Sequence, residues 1–467
     1  MIASNTQPRP QPRKAGGALA ALALSRGPAL AALALGGALA LAGCAGHGGP
    51  RKHPVTPTIG TRIPVLSHVE AGAVVDDSIA SVAVILPPAT ENDAWNQPGG
   101  VANKSYGNLA LAAAPKKAWE AQIDGSNGRR RLAATPVIGD GRVYVEDALG
   151  VVHAFDAGNG KSIWTRAFEQ QGEQEASVFG GGVSLDAGRA YVTTGYGDVA
   201  ALDATNGKQL WRVKPAGPLR GSPTVAFGSV FVATQNNEIH ALSSADGTQA
   251  WMEAASPGEA GVFGVAAPAA GQGTVIAGFS TGELVAYRYE NGRQLWSDAL
   301  SRTSLSTSVG VLTDIDADPI IDHGRVYALG QGGRMAAYEL VSGQRIWELN
   351  LAGISTPALA GDWIFALTDD ARVLCIARSS GKVRWIAQLD KYQNAKKKTN
   401  PIYWTGPTLA GDRLWVASSR GDVVAIDASE GRVKPFAREK EPISLAPVVA
   451  KSTLYVMTDL GRIIAYR

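Results

Sequence analysis

Cysteine is scarce in this 467-residue chain: there are two, Cys44 and Cys375. With no adjacent pair and no Cys-x-x-Cys, the sequence offers neither a vicinal disulfide nor a dithiol redox motif. It also lacks His-Glu-x-x-His and Gly-x-x-x-x-Gly-Lys-Ser/Thr, which removes the spacing signatures of zinc peptidases and P-loop enzymes. An excess of one charge is missing as well. Lys and Arg number 44 and Asp and Glu 41, but residues 1–43 hold four cations, Arg9, Arg13, Lys14 and Arg26, and no acid, so residues 44–467 hold 40 cations against 41 acids. Such a balance gives no overall attraction for nucleic acid. Aromatics are only 7% of the chain, whereas 55 Gly and 25 Pro accompany 45% apolar residues, the composition of an ordered protein rich in turns.

Long apolar runs are confined to the amino-terminal end. A basic stretch, Met1–Lys14, precedes apolar 15–24, a break at Ser25-Arg26-Gly27-Pro28, and a 13-residue run of Ala, Leu and Gly at 29–41. A membrane-spanning helix needs about 20 apolar residues, and reaching that length here would enclose Arg26 and Pro28. The pattern predicts an export signal over 1–43. Leu41-Ala42-Gly43-Cys44 resembles the bacterial lipobox, which implies lipidation of Cys44. Ala45, in place of an aspartate, points to the outer membrane and its periplasmic face. Residues 44–60, rich in Gly, Pro and Thr, form the expected flexible tether, and 61–115 an extended segment packed on the main domain. With Cys44 acylated, Cys375 has no partner, and its apolar surroundings in Arg372–Ala377 predict a buried, inert thiol.

From residue 116 onward the chain repeats. Phe155-Asp-Ala-Gly-Asn-Gly-Lys-Ser-Ile-Trp164 is echoed by Leu202-Asp-Ala-Thr-Asn-Gly-Lys-Gln-Leu-Trp211 and by copies ending at Trp251, Trp296, Trp347 and Trp385. A seventh keeps Ile426-Asp-Ala-Ser-Glu-Gly431 but has Pro435 at the Trp position. The turn glycines Gly160, Gly207, Gly247, Gly292, Gly343, Gly381 and Gly431 recur every 38–51 residues, the length of one four-stranded antiparallel blade. Eight blade-opening dipeptides, from Thr135-Pro136 to Ala446-Pro447, predict an all-β, eight-bladed propeller over 116–467. The last unit is one strand short, and Lys116-Lys-Ala-Trp119 supplies a match, so the amino- and carboxy-terminal strands are expected to pair and close the ring. The repeated Trp is expected to pack blade against blade. His153 and His240 fall at a strand position otherwise held by aliphatics, which marks them as structural.

The pattern at Ala200–Trp211 resembles the tryptophan-docking repeat of pyrroloquinoline-quinone (PQQ)-type propellers, a group containing both dehydrogenases and scaffolds. The dehydrogenases stack their quinone on a vicinal disulfide beside Ca²⁺, and this chain has no such cysteine pair. Asp314-Ile-Asp-Ala-Asp318 superficially suggests a calcium loop, but Pro319 stands where the turn glycine belongs and Arg325 where the bidentate Glu belongs. No cofactor or metal is therefore expected.

Repeat and lipobox together resemble the BamB family of lipoproteins in the outer-membrane β-barrel assembly machinery. Leu219-Arg-Gly-Ser-Pro-Thr-Val-Ala-Phe-Gly228 is similar to that family's Leu-Arg-Gly loop, and Thr313-Asp-Ile-Asp-Ala-Asp-Pro319 to its Asp-Val-Asp loop. Gly217 departs from the family pattern, standing where a second leucine is usual. The resemblance implies a non-catalytic scaffold whose partner-binding residues are Leu219, Arg220, Asp314 and Asp316, contacting the POTRA domains of BamA. Other assembly subunits and nascent outer-membrane proteins are further implied partners. Both loops precede a first strand, so they share one rim, where an exposed Leu219 would anchor a partner. An ion pair from Arg220 to Asp314 and Asp316, tying blades together, is the structural alternative, and the two are compatible. The alternative functions are a quinone-dependent dehydrogenase and a propeller that binds sugar or peptide. Lys396-Lys-Lys398 reads as a solvated loop, with anionic lipid headgroups as a lesser option.

Overall fold

The computed structural model describes residues 73–467 except 129, 169–179, 216, 258–265 and 301–312. The predicted leader, the tether with Cys44, and residues 61–72 of the amino-terminal segment lie outside the described residues. No helix among the described residues is long and apolar enough to cross a membrane.

Alternation of apolar and polar residues between glycine turns produces eight sheets of four antiparallel strands. Blades 1–7 are each contiguous in sequence: 137–167, 181–213, 224–254, 269–299, 320–349, 358–388 and 404–438. Blade 8 is composite. Its inner three strands come from 448–466, and its outermost is Lys117–Gln122, paired from Lys117 opposite Tyr466 to Gln122 opposite Arg462. Ring closure therefore rests on the terminal strands, as the repeat count requires.

The recurrent Trp and Gly are two halves of one contact. Trp164 on the outer strand of blade 1 donates its indole N–H to the Ala204 carbonyl of blade 2 at 3.1 Å, and a Cβ on Gly207 would lie 2.6 Å from that indole. The same arrangement joins Trp119 to Ala157 and Gly160, and Trp296 to Leu340 and Gly343. These glycines adopt left-handed φ near +72°, so turn conformation and indole contact both select glycine. Pro435 replaces the Trp for a physical reason. The outer strand of blade 8 arrives from the amino terminus, so that blade has no Asp-x-x-x-Gly turn for an indole of blade 7 to cover. Apolar residues between neighbouring blades form the core, for example Tyr327, Leu329, Ile364 and Leu374 between blades 5 and 6.

Residues 73–110 reach the hub. Val75 pairs in parallel with Val383 on the outer strand of blade 6, and the chain then crosses to the axis. Inner strands such as Val137–Gly139 and Thr224–Ala226 are three residues long and would otherwise present unpaired backbone groups there. Residues 92–109 satisfy them. Trp95 and Ile138 exchange two backbone hydrogen bonds of 2.8 and 2.9 Å, and Leu185, Ala270 and Ile321 donate to the carbonyls of Asn96, Ala102 and Asn103. Lys451 donates to the Asn92 carbonyl, and Gly411 to that of Leu109. At blade 3 a side chain does the work of backbone: Gln97 Nε2 donates to the Val225 carbonyl at 3.0 Å and its Oε1 accepts from the Val225 N–H at 2.9 Å.

Candidate functional site at the open mouth of the hub

The segments leading into the first strands stand on the face opposite this plug. With it they enclose a cleft of about 900 Å³. Its walls include Thr135, Ser222, Asp318, Pro357, Pro407 and Pro447, while Trp95 and Tyr106 of the plug also line it.

The lead-in to blade 3 positions Leu219 and Arg220. Leu219 bridges to Thr234, the Arg220 N–H donates to the Ala233 carbonyl at 2.9 Å, and the loop is thereby held against its own blade. The lead-in to blade 5 alternates. Ile315 and Ala317 are fully buried, and a Cβ on Gly278 would meet Ile315 at 2.4 Å, so glycine is required beneath it. Asp314 and Asp316, on the other side of this segment, meet Arg220. Its Nη2 donates to Asp314 Oδ1 at 2.7 Å and to Asp316 Oδ1 at 3.2 Å.

The four sequence-predicted residues thus come together, but not as exposed groups. Leu219 is 0% exposed and packs with Val225, Val230 and Leu242, which corrects the expectation of an exposed anchor. The cause is the added bridge to Thr234, which turns the side chain inward. Arg220 is 2% exposed and Asp314 1%, so the inter-loop ion pair holds and is desolvated. Of the two acids, only Asp316 reaches the cleft lining.

One guanidinium shared by two carboxylates leaves charge uncompensated. Burial pushes Asp316 up to about 7, Asp314 adds to the rise, and Arg220 opposes it. Burial likewise raises Asp318, opposed by Lys104. Lys104, fully buried in the plug with Nζ 3.1 Å from Thr224 Oγ1, is lowered by that burial to about 8. Sequence reasoning missed Lys104, Trp95 and Gln97, because the plug meets the blades through contacts of different kinds and has no period.

The arrangement does not fit a calcium-bound quinone. Among the described residues no group of three His, Cys, Asp or Glu is placed to hold a metal ion. Cys375, the one described thiol, is buried in blade 6, where burial raises its pKa. His153 bonds to Asp147 at 2.7 Å and His240 to Gln249 at 3.0 Å, both within their own blades. Lys396, Lys397 and Lys398 are exposed between the short strands Tyr392–Asn394 and Thr399–Pro401.

The family model described as outer membrane protein assembly factor BamB matches residues 148–387. The assembly factor BamB of Salmonella typhimurium strain LT2 is 30% identical over 357 residues, covering 75% of this chain and 88% of that protein. The chain belongs to the BamB family. The BamB of Escherichia coli K12 is 29% identical over 335 residues, 70% of this chain and 85% of its own length. Among solved structures, BamB from Moraxella catarrhalis superposes with a TM-score of 0.64 at 20% identity, covering 76% of this chain and 99% of that one. Quinohemoprotein alcohol dehydrogenase from Comamonas testosteroni gives the same TM-score at 16% identity, covering 84% and 82%. At those identities the superpositions establish the shared propeller, and the BamB assignment rests on sequence.

Proposed function

We propose that this chain is a non-catalytic scaffold of outer-membrane protein assembly, anchored through lipidated Cys44 at the periplasmic face of the outer membrane and docked on the POTRA domains of BamA. Membership of the BamB family carries the proposal, since the relatives are named as assembly factors. Two further features support it. Among the described residues no group of three His, Cys, Asp or Glu is placed to hold the calcium of a quinone site, and the Leu219–Arg220 and Asp314–Asp316 loops are fixed to one another. Held in this way, the paired loops present a preorganised rim, so a partner ordering on it loses little loop entropy. Nascent outer-membrane proteins and other assembly subunits complete the expected set of partners.

The deciding experiment is a detergent pull-down of the lipidated chain with BamA, repeated with isolated POTRA domains. Stoichiometric capture by both is expected. Failure to bind BamA in either form refutes the docking assignment, and reproducible PQQ-dependent dye reduction by the purified chain refutes the non-catalytic one.

A further inference from the structure

The cleft at the hub holds more polar capacity than the protein itself uses. Trp95, 4% exposed, presents an indole Nε1 without a hydrogen-bond partner among the described residues, and Ser222, also 4% exposed, a hydroxyl in the same condition. Both line the cleft. A buried unpaired N–H or O–H costs about 1–3 kcal/mol, so two at one cavity point to something that completes them from outside. The wall beside them is negative. Asp314, Asp316 and Asp318 face two buried cations, Arg220 and Lys104, so full ionisation of the three carboxyls leaves one negative charge in excess, and an added cation would favour that ionised state. Of the charged residues that line the cleft, three are carboxylates and one, Arg131, is a cation. The remaining lining mixes serine and threonine residues with apolar and aromatic ones, among them Tyr106, Trp404 and the four prolines Pro98, Pro357, Pro407 and Pro447.

We propose that this cleft is a binding site for an extended polypeptide segment that inserts one arginine or lysine side chain beside Asp316 and Asp318. The backbone carbonyl of the segment accepts from Trp95 Nε1, and Ser222 completes a second hydrogen bond. The cleft's volume lies within the range of sites that enclose a ligand of several residues' side chains. An amide backbone supplies both donors and acceptors, and the basic side chain neutralises the excess carboxylate. The site shares Asp316 with the loop contact to Arg220 and otherwise uses residues outside it.

The probe is the tetrapeptide acetyl-Ala-Tyr-Arg-Ala-amide, titrated calorimetrically into the full chain. Its comparison is the citrulline analogue, which keeps the shape of arginine without the charge. One-to-one binding is expected, weakened about ten-fold by citrulline, the factor that corresponds to about 1.4 kcal/mol. Ser222→Ala removes only a hydroxyl unpaired within the protein and should not lower the melting temperature, whereas Trp95→Phe also trims a ring packed in the core and should lower it modestly. Each should weaken the peptide about five-fold, the loss of one ordinary hydrogen bond. Absence of binding, equal affinity for the citrulline peptide, or undiminished affinity in both variants would overturn the site. Weakened binding in Ser222→Ala accompanied by a lost melting temperature would overturn the claim that its hydroxyl is unpaired.

Discussion

Replacing Arg220 by Met removes the one cation that, among the described residues, lies within hydrogen-bond reach of Asp314 and Asp316, at 2.7 and 3.2 Å. Asp314 is 1% exposed and its Oδ2 already lacks a hydrogen-bond partner among the described residues, so the variant strands a carboxylate out of water. Breaking a buried pair in this way costs about 3–5 kcal/mol, a large share of the roughly 5–15 kcal/mol that stabilises a typical domain. Replacing all three groups by apolar residues of similar volume is, by contrast, often close to neutral. Urea unfolding followed by tryptophan fluorescence should therefore show a clear loss for Arg220→Met. Most of that loss should be recovered in the triple variant Arg220→Met, Asp314→Leu, Asp316→Leu. A single-variant loss below about 1 kcal/mol would mean that the pair is hydrated, and a triple variant no better than the single would mean that stranded charge is not the cause. The triple variant also separates fold from docking: a stable protein that no longer captures the POTRA domains supports the four-residue contact, and undiminished capture removes it. Charge reversal at Arg220 alone cannot make that distinction, because burial ensures that it damages the fold.

Gln97→Ala deletes both hydrogen bonds to Val225 and leaves a buried N–H and C=O unpaired, so a loss of about 2–4 kcal/mol is expected by urea titration. Gly207→Ala, where a Cβ would meet the Trp164 indole at 2.6 Å, should destabilise more than Gly188→Ala, which has a similar φ but nothing within 4 Å; differential scanning calorimetry compares them. Because Asp316 is raised to about 7, the folded state binds more protons than the unfolded state between about pH 4 and 7. Its contribution to stability is therefore present below pH 4 and falls as pH rises toward 7, and Asp316→Asn should remove that slope from melting curves recorded across the interval. Cys375 should resist a disulfide exchange reagent in the native protein and react once denatured, since its thiol is buried and its pKa raised.

What could be read from the residues follows from how often each contact recurs. Trp and Gly meet at seven blade junctions, so their spacing records the architecture, and the missing Trp at Pro435 records where the circle is joined. The alternation in Asp314-Ile-Asp-Ala-Asp318 shows an ordered, strand-like segment, and Arg220 was a natural counter-ion for its acids. The inward turn of Leu219 was not visible, because it depends on a bridge to Thr234 that no local pattern announces. The plug was invisible for a related reason. Its residues make a different contact at each blade, through backbone at Trp95, an amide at Gln97 and an ammonium at Lys104, and a set of unique contacts leaves no period.

The path of residues 73–110 has a mechanical consequence. Among the described residues, a pull from the amino-terminal side would load the contacts of Ala73 and Val75 with blade 6, then the axial hydrogen bonds of residues 92–109, before the Lys117–Gln122 strand that seals the circle. The route works like the clamp on an electrical cable, taking up tension ahead of the joint, so that tugging on this end of the described chain need not unzip the wheel.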